Sequence, residues 1–304
     1  MTDLAAACLF AFAHLLARLP DAWLRGLAGF VARLWRGLDA RESRVARRNI
    51  ELAYPGMPAA ARDALHVAIL RNTAWQALET LRIWTRAPAR NLATIRETHG
   101  IDLFDAALAS GRGLIVAAPH HGNWELLNQW LASRTPLAIL YRPPESAIGE
   151  AFLRRVRADA DARIEQVRAE GPAIRTLFKR LQGGGVVGIL PDQQPKAGDG
   201  EFAPFFGVQA LTMTLLSRLA ARTGAAVLFA WCERIGDGEG FALRIEAAPP
   251  EIAAEPKVAV HALNAAVERI ARRDPAQYQW TYKRYTLRPP GSGEDNPYRD
   301  LERH

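Results

Sequence analysis

Between residues 113 and 247, short uninterrupted apolar runs alternate with segments whose apolar positions recur every three to four residues. A continuous apolar run is what a parallel strand buried on both faces requires. The three-to-four spacing is that of a helix with one buried face. On this basis 113–118, 136–142, 186–190, 226–232 and 241–247 read as strands. The last two are joined through Gly236-Asp237-Gly238, a hairpin-like turn. Helices are predicted over about 123–132, 147–160, 172–182, 209–222 and 257–272, with Gly183-Gly184-Gly185 and Gly224 as stops. Upstream, 58–86 reads as a long helix through Leu65, Ile69, Trp75, Leu78 and Leu81, closed by Pro88. The stretch 193–207 reads as a loop rich in Gly and Pro, and the tail from Pro289 as extended and weakly held. Helices first and mixed elements afterwards predict the α/β class, with one sheet covered by helices on both faces.

The N-terminal pattern is different. Leu4 to Ala17 is apolar but for His14, and too short to cross a bilayer, which takes about 20 residues. Asp3 stands where a signal peptide would carry basic residues. After Pro20, Leu24, Leu27, Val31 and Leu34 recur at helical spacing among Trp23, Phe30 and Trp35, with Arg25, Arg33 and Arg36 able to snorkel. Charge sharpens the picture. The chain carries a formal +7, and residues 1–50 hold eight Arg against Asp3, Asp21, Asp39 and Glu42. A basic, apolar segment of this kind suits an anionic membrane surface better than nucleic acid. The expected organisation is therefore membrane-associating helices over 1–40, a catalytic domain over 41–290 and a tail over 291–304. Cys8 and Cys232 are isolated, so neither a disulfide framework nor a metal site is expected.

Candidate chemistry gathers where strands are predicted to end. Pro119-His120-His121-Gly122-Asn123-Trp124-Glu125 follows the first buried strand. The carboxyl edge of an open α/β sheet is where such folds bind ligands. Imidazole is suited to proton transfer near neutral pH, and Glu125 is a nearby acid able to orient the ring. The helix start around Gly122 and Asn123 offers backbone amides for a developing oxyanion. His120 and His121 compete for the role of base, and spacing alone leaves both open. Asp192 ends another buried strand and should share the edge with His120; Phe202, Phe205 and Phe206 follow in the loop as an apolar surface for an acyl chain. Arg142 ends a third strand, and Arg154, Arg155 and Arg157 follow it; guanidinium groups there could bind phosphates. Serine-elbow, P-loop and dinucleotide patterns are missing.

Taken together these blocks resemble the lipid A late acyltransferases of the lysophospholipid acyltransferase superfamily. The resemblance runs from about Leu19 to Pro290. Arg47 to Pro55 looks like the family's R-x-N-[IL]-x-x-x-[FY]-P segment, and Pro119 to Glu125 is similar to its H-[FL]-G-N-W-E block. Asp192-Gln193 and Phe205-Phe206-Gly207 match in order and spacing. Pro275 to Tyr285 resembles the closing P-x-Q-Y-x-W-x-H-[KR]-R-[FY], with Tyr282 where His is common. The resemblance implies that His120 is the base and Glu125 its orienting acid, with no acyl-enzyme, metal or cofactor. Arg142, Arg155, Asp192, Asn123, Phe206 and Gly207 are then expected to bind substrate. The implied donor is an acyl chain on acyl carrier protein. The implied acceptor is a lipid A precursor at the cytoplasmic face of the inner membrane, or by the same chemistry another glycolipid, an aminolipid or an aryl-polyene-type lipid. A non-catalytic lipid carrier using the same pocket is the reading from another class.

Overall fold

A computed structural model of the chain describes residues 2–141, 146–156, 163–169 and 173–302. Two helices, α1 (Thr2–Leu16) and α2 (Asp21–Gly37), precede α3 (Arg41–Ala53), the long α4 (Ala59–Thr85) and the short α5 (Pro88–Leu92). The α/β part then runs β1 (Ile95–His99), α6 (Ile101–Ala109), β2 (Leu114–Ala117), α7 (Trp124–Arg134), β3 (Leu137–Tyr141) and α8 (Ala147–Val156). It continues with β4 (Ile164–Arg168), α9 (Ala173–Gln182), β5 (Val186–Ile189), β6 (Gly200–Phe205), β7 (Val208–Met213) and α10 (Leu215–Thr223). The hairpin β8 (Ala226–Ile235) and β9 (Gly240–Ala247) leads to α11 (Pro256–Ala271).

Seven strands form one sheet in the order β1-β9-β8-β2-β5-β3-β4, and β8 with β9 is its one antiparallel pair. The centre is β2 and β5, whose sequences LIVA and VVGI are buried at every position. Successive side chains of a strand point to opposite faces. Ile115, Ala117, Val187 and Ile189 accordingly enter the core beneath α3, α4, α9, α10 and α11, while Leu114, Val116 and Val186 enter the core beneath α6 and α7. The expected α/β class and the helix-covered, mostly parallel sheet are the ones found.

Four expectations change. The two edge strands β1 and β4, IRETH and IEQVR, carry no apolar run because an edge needs none, and the sequence pattern passed over them. Residues 200–213 are an antiparallel hairpin, not a loop running into a helix. Its two-residue turn is Phe206-Gly207, both at positive φ (51° and 77°), which matches the twist of a tight hairpin. The helix predicted over 209–222 starts only at Leu215, since Gln209 to Thr212 pair with β6 instead. Finally, the tail is anchored: Tyr298 is completely buried, its hydroxyl donates to Asn49 Oδ1, and Arg48 pairs with Asp300 at 2.7 Å. Asn49 in turn donates to the carbonyls of Trp280 and Tyr282, so α3 clasps the closing motif that the resemblance picked out.

No single described helix is long and apolar enough to cross a membrane; α1 and α2 pass that test only as a pair, bent by 115°. Their exposed side is apolar. Leu4, Phe12, Leu15 and Trp23 are each at least 60% exposed. The buried sides rest on the body, where Arg82 of α4 donates to the carbonyl of Leu19 and pairs with Asp21.

Candidate active site

β2 and β5 lie side by side in parallel register, Ala117 against Ile189, so their chains leave the sheet at the same edge. The ladder runs one residue further, with Ala118 N–H donating to the Ile189 carbonyl. Each chain then passes through a proline, and the next residues face each other: His120 after Pro119, Asp192 after Pro191. The Asp192 carboxylate takes both donors His120 offers. Oδ1 lies 2.7 Å from ring Nδ1 and Oδ2 2.9 Å from the backbone nitrogen. His120 is 8% exposed and Asp192 4%. Burial alone would push the Asp192 carboxyl up; the His120 charge and its two hydrogen bonds outweigh it and hold the group below the usual carboxylate range.

This contact fixes the ring. With Nδ1–H directed to Asp192, a neutral imidazole keeps its lone pair on Nε2. The Gln193 side-chain amide donates to that nitrogen at 3.2 Å and to Gln279 Oε1 at 3.1 Å. The Gln279 backbone N–H closes the circuit on the His120 carbonyl at 3.0 Å. The Trp124 ring meets the imidazole edge to face, centroids 4.9 Å apart. The imidazole is thereby held at both nitrogens, by the Asp192 carboxylate at Nδ1 and by the Gln193 amide at Nε2. Beyond Asp192, a small cavity is lined by Gln193, Tyr278, Gln279, Tyr282 and Arg284.

The orienting carboxylate at Nδ1 is thus Asp192, and not the Glu125 that spacing singled out. Glu125 is buried in the first turn of α7, where the helix amides favour a negative charge. Local spacing pointed to it because five residues is a short reach, while the strand pairing supplies a partner 72 residues away. His121, the competing imidazole, is completely buried and turned away: neither ring nitrogen has a hydrogen-bond partner among the described residues. Burial pushes it down to about 4 against the pull of the Glu233 and Asp274 carboxylates, so it is neutral at working pH.

The amides expected to receive an oxyanion are occupied. Gly122 N–H donates to the Gln277 carbonyl and Asn123 N–H to the Cys232 carbonyl, at 3.2 and 2.8 Å. Gly122 runs so close to β8, at φ +63°, that a Cβ there would sit 1.9 Å from the Cys232 oxygen; only glycine fits. Asn123 caps α7 through Oδ1 on the Leu126 amide, and its buried Nδ2 has no hydrogen-bond partner among the described residues. Phe206 is packed instead of presented, between Tyr54 and Trp280 with the Arg272 guanidinium 4.6 Å from its ring centre. Gly207 completes the hairpin turn and is exposed. Arg155 is also exposed, its guanidinium 5.2 Å from the Phe10 ring centre on α1, a seat between α8 and the N-terminal layer. Arg142 and Arg157 lie outside the described residues. Gln193 and Gln279 are the site residues that sequence reasoning left without a role. The Asp-Gln dipeptide at a strand end marked the first, and no local signal marked the second.

A buried Asp–His pair at the carboxyl edge of a mostly parallel sheet, with Nε2 met only by a side-chain amide, suits an α/β enzyme that moves protons in a group transfer. The sequence comparisons name the group. Residues 4–286 match the model of the bacterial lipid A biosynthesis acyltransferase family, and the chain belongs to that family. It is 28% identical over 258 residues to the lipid A biosynthesis palmitoleoyltransferase of Escherichia coli (strain K12), covering 84% of this chain and 81% of the relative. To the lipid A biosynthesis lauroyltransferase of the same organism it is 27% identical, covering 83% and 81%. A phosphatidylinositol mannoside acyltransferase of Mycobacterium tuberculosis (strain CDC 1551 / Oshkosh) is 30% identical over 200 residues, 64% of this chain and 62% of the relative. The protein is therefore an acyltransferase acting on a lipid acceptor.

Proposed function

We propose that the enzyme moves a fatty acyl chain from an acyl carrier protein thioester to a hydroxyl of a lipid A precursor, with His120 as general base. The observation that carries this reading is the Asp192–His120 pair itself, which fixes Nδ1–H and leaves Nε2 as the acceptor. In the proposed step, Nε2 takes the proton of the acceptor hydroxyl as its oxygen bonds to the thioester carbonyl carbon. The tetrahedral intermediate collapses by breaking the C–S bond, and His120 returns the proton to the departing thiolate. Asp192 stays ionised and stabilises the transient imidazolium. No acyl-enzyme, metal or cofactor enters this scheme. Glu125 then contributes through the charge and shape of the α7 start, not by holding the ring.

The N-terminal layer supports work at a membrane surface, and the proposal puts it at the cytoplasmic face of the inner membrane, where both proposed substrates would meet. The exposed apolar faces of α1 and α2 would enter the lipid boundary while the exposed Arg18 and Arg33 meet anionic headgroups. The similarity to a phosphatidylinositol mannoside acyltransferase favours one second reading, in which the same chemistry serves another glycolipid acceptor. An assay of purified enzyme with a panel of acyl carrier protein thioesters and candidate acceptors, read by mass spectrometry, tests both. Acylation of the lipid A precursor by wild type, abolished in His120→Ala without loss of fold, is the expected result. A His120→Ala variant with near-normal turnover would remove the base from the scheme, and selective acylation of a mannosylated lipid would move the acceptor to the second reading.

A further inference from the structure

The Gln193 side chain occupies the position a reacting hydroxyl must take. Its amide nitrogen lies 3.2 Å from His120 Nε2, and the second N–H is tied to Gln279 Oε1 at 3.1 Å. The orientation is self-consistent. Nε2 is an acceptor because Nδ1–H is spent on Asp192, and Gln279 presents an oxygen, so both neighbours demand the NH2 end of Gln193. One of its two donors is therefore anchored, and the other points at the nitrogen that the acceptor oxygen will approach.

A tetrahedral intermediate formed beside Nε2 needs a donor within about 3 Å of its oxyanion. The backbone amides nearest in sequence, those of Gly122 and Asn123, are already engaged with Gln277 and Cys232. We propose that the Gln193 amide is an oxyanion donor of the transfer reaction: it caps His120 Nε2 at rest and, displaced by the incoming hydroxyl, passes the same N–H to the thioester oxygen. This inference rests on the acyl-transfer reading above and adds a second group that touches the reacting atoms. The step balances as follows. The hydroxyl proton goes to Nε2, the new C–O bond pushes the carbonyl π pair onto oxygen, and Gln193 N–H stabilises that charge. Reformation of C=O expels the thiolate, which takes the proton back from His120, and the amide returns to Nε2. Gln279 is a positioning residue here, since its side chain holds the anchored N–H and its backbone N–H holds the His120 carbonyl.

The test compares steady-state kinetics of wild type, Gln193→Ala and Gln193→Met, the last filling the same space without an N–H. Loss of one oxyanion donor lowers kcat by about 10²-fold or more, while KM for the acceptor changes little. Thermal melting of the same preparations checks the fold, and if Gln193→Ala melts early the comparison rests on Gln193→Met. A kcat within a few-fold of wild type in a folded Gln193→Met overturns the inference, as does a rise in kcat/KM for both variants, which would make Gln193 a mere plug. If His120→Ala retains activity, the acyl-transfer mechanism fails first; if His120→Ala is inactive while Gln193→Met is normal, only the role of Gln193 fails.

Discussion

The crevice at the ends of β2 and β5 and the two N-terminal helices break the usual inside–outside rule in opposite directions. In the crevice, polar and ionisable groups are buried, and His120 and Asp192 partner each other. On α1 and α2, large apolar groups such as Leu4, Phe12, Leu15 and Trp23 are left outside. A buried charge survives only when paired and hydrogen-bonded, so the crevice is committed to one arrangement. An exposed apolar face has no such constraint and demands only another apolar phase. In the function proposed above the two regions divide the work, chemistry in one and location in the other, and changes in each should leave the other's readout intact.

The sharpest break in that comparison is Asp192→Asn. It should leave the fold standing but lower kcat by about 10³- to 10⁴-fold, because the ring loses the anion that fixes its tautomer and stabilises its charged form. Binding to anionic vesicles, measured by co-sedimentation, should not change. The reverse change is the pair Phe12→Ser and Trp23→Ser. Withdrawing two large side chains from the lipid boundary should weaken vesicle binding by roughly 10²- to 10⁴-fold, at about 1.5–3 kcal/mol per fully buried side chain. Turnover of a detergent-dispersed acceptor should stay within a few-fold of wild type.

His121 gives a smaller effect on stability alone. Its imidazole is buried neutral, pushed down to about 4, whereas the unfolded chain binds a proton from about 6.5 downward. The unfolded state therefore holds more protons between these values, and stability falls as pH drops through that window. The loss is on the order of 3 kcal/mol once the pH is below 4. His121→Phe, which supplies an apolar residue like those the family's motif carries there, should remove that acid sensitivity and raise the melting temperature at pH 5 more than at pH 8. Equal shifts at both pH values would contradict a buried neutral imidazole.

Much of this division was written in the local pattern. The buried strands β2 and β5, the long α4 and the amphipathic α11 each announce themselves because burial on two faces or on one stripe leaves a periodic trace. Strands β1 and β4 leave none, being edges, and the β6–β7 hairpin was hidden because its pairing overrides the helical preference of Gln209 to Thr212. The site followed the same logic. His120 and Asp192 were each legible as strand-end residues on one edge, yet their bond depends on two strands being neighbours, which no short window records. Glu125 stood out for the opposite reason, being close along the chain. Gln279 reaches the site from the closing motif through the tertiary fold, and nothing local foretold it.

The central claim is that the carboxylate governing the base is Asp192. Its most direct test is kcat for Asp192→Asn and Glu125→Gln measured side by side, with the same thioester and acceptor and matched melting curves. The account predicts that Asp192→Asn falls by about 10³-fold or more and that Glu125→Gln loses at least an order of magnitude less. A folded Asp192→Asn enzyme close to wild-type turnover, beside an inactive Glu125→Gln, would contradict it.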